Sequence, residues 1–149
     1  MRRIIIALLT VGLVAATTVP LAASADRDDE LVIGVRLSFV SGQGTFAACC
    51  AVNDSGTASV TVTPGAVRRN RLEFEAIETF VGSRGTFRLA LRGTSGPLDS
   101  DIHIARGSWR AIGGTGAYDD LEARGRFTAV TNTTTGDLTG INKGEADDD

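Results

Sequence analysis

From about residue 31 onward the chain alternates apolar and polar side chains with a period of two, and glycine punctuates the alternation. Ile33, Val35, Leu37 and Phe39 fall on one face of a first strand, and Phe46, Ala48, Cys50 and Val52 on one face of a second. Asn53-Asp54-Ser55-Gly56 reads as a turn, after which Ala58, Val60 and Val62 alternate with threonine and serine until Pro64-Gly65 ends the strand. Arg71 to Val81 presents Leu72, Phe74, Ala76, Glu78 and Phe80 to one face, and Gly82 to Gly85 turns the chain into Thr86 to Arg92, with Phe87, Leu89 and Leu91 together. Gly93 to Ser100 reads as a loop. Asp101 to Ile112, Ala123 to Thr131 and Asp137 to Lys143 supply the remaining strands. No segment of this part of the chain carries helical periodicity.

About eight short strands at these spacings describe an all-β domain, a barrel or a sandwich. The barrel is favoured by Gly-x-aromatic, which opens strands at Gly44-Thr45-Phe46, Gly85-Thr86-Phe87, Gly107-Ser108-Trp109 and Gly125-Arg126-Phe127. Glycine and ring lie two apart and share a face, where the missing side chain relieves crowding in a closed sheet and lets a neighbouring ring cross bare backbone. Arg84, Arg88, Arg92, Arg106, Arg110, Arg124 and Arg126 hold the opposite face, so the glycine-aromatic face is the interior. Phe39, Phe46, Phe87, Trp109 and Phe127 are expected inside, each contributing about 1.5–3 kcal/mol when fully buried. Closure into an antiparallel barrel also removes the sheet edges that invite aggregation.

The first residues do not belong to this barrel. Met1-Arg2-Arg3, the apolar run Ile4 to Ala16, Pro20 and the Ala23-Ser24-Ala25 site read as a secretory signal peptide over 1–25, too short in its apolar part for a stable membrane anchor. Residues 26–30 form a charged lead-in, 31–144 the single barrel domain and 145–149 an acidic tail. A secreted location follows. The formal charge of −3 becomes more negative once Arg2 and Arg3 are removed, which argues against a nucleic-acid partner. Cys49 and Cys50 are adjacent, and adjacent strand residues point to opposite faces. They read as two small apolar residues, one in and one out, with a strained vicinal disulfide or a bridge to a partner chain as alternatives.

Candidate chemistry is sparse. Glu78 and His103 both face inward on an unbroken pleat, and a carboxylate in an apolar lumen beside a histidine suits acid–base work. Against that, a bulge near Ala76-Ile77 would turn Glu78 outward, and His103 would belong to the preceding loop. Phe46, Phe74, Phe87, Leu89, Trp109 and Phe127 are the candidates to line a ligand-binding lumen. Asp119, Asp120 and Glu122 read as a solvated acidic turn, and no metal or cofactor is called for. Gly113-Gly114-Thr115-Gly116 precedes no helical pattern, so it is not a nucleotide loop.

Trp109 to Tyr118, WRAIGGTGAY, with Leu121 and Gly125 after it, resembles the corner of the allene oxide cyclase and dirigent group of barrels. It is also similar to secreted actinobacterial proteins of unknown function, for which Glu78 to Phe87 is a further likeness. The resemblance spans roughly Phe74 to Val130 and makes Gly113, Gly114, Gly116, Tyr118 and Gly125 a structural corner. It implies an eight-stranded, calycin-like barrel with an apolar cavity, a trimer in the plant families, working without cofactor. No catalytic residue of those families transfers to a position here. The expectation is a secreted barrel that binds a small apolar molecule or serves as a non-catalytic extracellular module. The alternative is a cofactor-free cyclase or isomerase.

Overall fold

The computed structural model describes residues 29–147. The leader over residues 1–25 lies outside them, so its reading rests on sequence alone. Eight strands form one closed antiparallel barrel in chain order: β1 (Glu30–Ser38), β2 (Gln43–Cys50), β3 (Asp54–Arg68), β4 (Arg71–Gly82), β5 (Thr86–Gly96), β6 (Ile102–Gly114), β7 (Ala123–Asn132) and β8 (Asp137–Ala146). β1 closes the barrel by pairing with β8, Glu30 opposite Glu145 and Ser38 opposite Asp137.

The faces follow the alternation. Leu31, Ile33, Val35 and Leu37 of β1 are buried, as are Phe46, Phe80, Phe87, Leu89, Trp109 and Phe127. The seven arginines assigned to the outside are all exposed. Arg92 meets Glu75 at 2.6 Å on the neighbouring strand, the cross-strand pairing that interleaved charges favour. Trp109 turns inward and spends its indole N–H on the carbonyl of Arg126 at 3.0 Å.

Glycine acts most visibly beneath Phe127. Gly93 and Gly107 are cross-strand partners, and a side-chain carbon added to either would come within 2.7 Å of the Phe127 ring. The ring lies across two bare backbones. This explains why Gly93 continues β5 instead of opening a loop, and why the strand runs on to Gly96.

Several expectations need correction. Phe39 is 52% exposed, because β1 ends at Ser38 and Phe39 opens the turn into β2, its amide bonded to the carbonyl of Gly136. Pro64-Gly65 does not end β3; a register shift between Pro64 and Val67 absorbs the proline's missing donor and pairing resumes. Asp54 begins β3 and does not sit within a turn. Cys50 is exposed, not buried, its φ of 81° breaking the alternation at the end of β2. The glycine corner does lead into helix, but only a single 3-10 turn, Gly116–Tyr118. The barrel also takes in Glu30 at one terminus and Glu145 and Ala146 at the other.

The two ends of the barrel differ. At one, Phe46, Phe80, Phe87 and Tyr118 form an aromatic plug, with Phe80 and Phe87 stacked at 4.7 Å and Tyr118 edge-on to Phe87 at 5.0 Å. Asp54 ties the turns of this end together. It accepts hydrogen bonds from the Tyr118 hydroxyl of the β6–β7 corner and from the Ser83 hydroxyl, Ser83 amide and Arg84 amide of the β4–β5 turn. Burial alone pushes its carboxyl up. The donors, Tyr118 first and then Ser83, Arg84 and Ser55, outweigh that and hold it well below the usual carboxylate range. Tyr118, buried and bonded to that carboxylate, is pushed up to about 12. The corner is thus a lid pinned by a charge-assisted network.

Candidate functional site

The other end is open. A cavity of about 620 Å³ enters between the β1–β2 turn, with Phe39 and Val40 at its rim, and the strand ends carrying Leu72, His103 and Leu138. Its walls are apolar, with Val35, Val60, Leu91 and Ala105 among them. Phe74 and Phe127 meet edge-on at 6.0 Å within it.

Two polar side chains lie at its inner end. Glu78 is 6% exposed and Asn142 2%. β4 and β8 stand opposite each other in the closed strand order, so the 2.6 Å bond from Asn142 Nδ2 to Glu78 Oε2 crosses the lumen. Glu78 points inward because β4 pairs without a break with β5 from Leu72 to Val81, so no bulge intervenes at Ala76-Ile77. Its cross-strand neighbours are Val60 and Leu89, which offer no hydrogen bond and no counter-charge. Burial pushes the Glu78 carboxyl up to about 7, and the Asn142 bond pulls only part of the way back. Near neutral pH the group is therefore divided between its protonated and ionised forms.

His103 lies on β6, paired with Thr131, half-buried on the cavity wall. It is on the strand and not in the preceding loop. The ladder sets Glu78 level with Leu89 and Ala111, while His103 is far along β6 toward the mouth. The two face one cavity but are not a hydrogen-bonded pair; the partner of Glu78 is Asn142. The lumen candidates divide in the same way. Phe74 and Phe127 line the cavity, whereas Phe46, Phe87, Leu89 and Trp109 are packed into the barrel's own core. Rings at the plugged end fill one another's space, which leaves no lumen there. Gly113, Gly114, Gly116, Tyr118 and Gly125 all belong to the closed end or its approach, away from the cavity, as a structural corner requires.

The sequence pattern does not point to Asn142 or to the rim. In β8 the inward positions read Leu138, Gly140, Asn142 and Gly144, too small and polar to signal a buried face. The signal lies in the partner strand, since Asn142 pairs with Ile33, whose alternation is clear.

Comparison of the chain with protein-family models, with curated proteins and with solved structures finds no match.

Proposed function

We propose that this barrel is a binding protein that takes a small apolar molecule into the open half of its lumen. One observation carries the reading: an apolar cavity of about 620 Å³, open at one end and floored by the Glu78–Asn142 pair. The volume suits a small ligand, and apolar walls with a few convergent polar groups are the usual make-up of such sites. The ligand's apolar body packs against Phe74 and Phe127, and a polar end reaches Glu78. The sequence resemblance to the allene oxide cyclase and dirigent barrels is in keeping with this reading; export by the leader, read from sequence, and assembly as a trimer, implied by that resemblance, are proposed with it.

Native mass spectrometry of the protein purified from its own host tests this, read for a retained small molecule and for the subunit count. Titration with a fluorescent apolar dye gives a second measure. Ala105→Phe, which fills the cavity, should abolish dye binding while the barrel stays folded. A wild type that retains no small molecule and binds no dye would overturn the proposal.

A second reading, a cofactor-free isomerase or cyclase, is favoured by Glu78 itself. A buried carboxyl at about 7 at the inner end of an apolar cavity is suited to moving a proton on a bound substrate. Glu78→Gln separates the two: a binding protein keeps its ligand, and an enzyme keeps the ligand but loses turnover.

A further inference from the structure

Cys49 and Cys50 lie on the outside of the barrel, apart from the cavity. On an unbroken strand their side chains would leave opposite faces, with the sulfurs held apart. β2 ends at Cys50, and its φ of 81° lies in the left-handed region that residues with a side chain rarely adopt. That rotation brings the second side chain round to the side of the first. Both cysteines are exposed, and their sulfurs are 2.8 Å apart.

The surroundings hold this arrangement. Cys49 and Cys50 pair with Val32 and Leu31 of β1, and the next amide, Ala51, donates to the Glu30 carbonyl at 2.8 Å. Lys143 of β8 is the other cross-strand neighbour of Val32 and is ion-paired with Glu30 at 2.7 Å. Its ammonium is held charged by the hydrogen bond and charge of Glu30, with a smaller contribution from Cys50.

We propose that Cys49-Cys50 is a redox-active vicinal dithiol that closes to an intramolecular disulfide by exchange with a small-molecule disulfide. One cysteine thiolate attacks a sulfur of the small disulfide RSSR, forming a mixed disulfide and expelling one thiolate, which takes up a proton as RSH. The second cysteine, as thiolate, then attacks the protein sulfur of that mixed disulfide and expels the second RSH. The protein loses two electrons and two protons, and RSSR gains both. Adjacent Cα atoms are about 3.8 Å apart, below the roughly 4.4–6.8 Å of ordinary bridges, so the ring is strained. Strained, exposed disulfides reopen easily, which makes this an exchanging pair and not a structural staple. The site is independent of any ligand in the lumen.

The test uses the full-length protein, reduced, desalted, treated with oxidised glutathione and quenched with N-ethylmaleimide before intact-mass measurement. The expected product is a monomer lighter by two hydrogens, carrying neither glutathione nor maleimide, which mild dithiol reductant returns to two free thiols. Cys49→Ser and Cys50→Ser should each stop at one bound glutathione. A wild type that ends with stable glutathione adducts, with a disulfide-linked dimer, or with two maleimides would overturn the proposal.

Discussion

Asn142 donates its side-chain amide to Glu78 across the full width of the barrel, from β8 to β4, at 2.6 Å. The bond floors the open cavity and joins two strands that share no ladder. It is also the polar contact that Glu78 receives in otherwise apolar surroundings, so the carboxyl's charge state and the barrel's stability are linked.

That linkage has a definite sign. Glu78 rises from an ordinary value of 4.5 to about 7 in the folded barrel, so the folded state binds the proton more tightly than the unfolded chain. Its contribution is fully present below about pH 4.5 and is lost as pH rises through 7. The shift corresponds to about 3 kcal/mol in all. Urea denaturation of wild type between pH 5 and 8 should show stability falling across this window. Glu78→Gln should flatten the profile and be the more stable protein at pH 8.

The opposite sign holds at the plugged end. Asp54 is held below its ordinary value, so its contribution is present above about pH 4 and is lost as pH falls through the depressed folded value. Asp54→Asn should be less stable than wild type at pH 7 and should show a shallower loss of stability on acidification. Tyr118→Phe removes one donor of the network and should cost less than Asp54→Ala, which leaves Tyr118, Ser83 and Arg84 without their acceptor. Thermal melts at pH 7 and pH 3 check both statements.

Adjacent positions on β7 should respond very differently to the same bulk. A side chain added at Gly125 would come within 2.6 Å of the Gly144 Cα, whereas Arg126 points to water. Gly125→Val should cost about 1–3 kcal/mol or more by overpacking. Arg126→Val should stay within about 0.5 kcal/mol. Equal denaturation midpoints for the two would contradict the assigned faces.

Phe127 and Phe39 provide a matching pair of truncations. Phe127 is buried across Gly93 and Gly107, so Phe127→Ala should cost about 3–5 kcal/mol. Phe39 is half out of the barrel, and Phe39→Ala should change stability little while weakening dye binding at the mouth. Chemical denaturation and dye titration together separate the two effects.

The alternation of apolar and polar residues by itself determined most of the strands and their faces, and the Gly-x-aromatic strand starts favoured a barrel over a sandwich. A two-residue period fixes which side of a sheet each side chain takes, and seven outward arginines leave only one side for the core. Glu78 was legible as inward for the same reason. The tertiary structure decided everything that depends on distance across the lumen or on where alternation stops. Asn142 lies 64 residues from Glu78, on the opposite strand, and no local pattern joins them. Phe39 and Cys50 stand at strand ends, where the backbone leaves the pleat and the face rule lapses. Which rings fill the barrel and which line a cavity was likewise decided by packing: Phe46, Phe80, Phe87 and Tyr118 occupy one another's space at the plugged end, and Phe74 and Phe127 have room at the other.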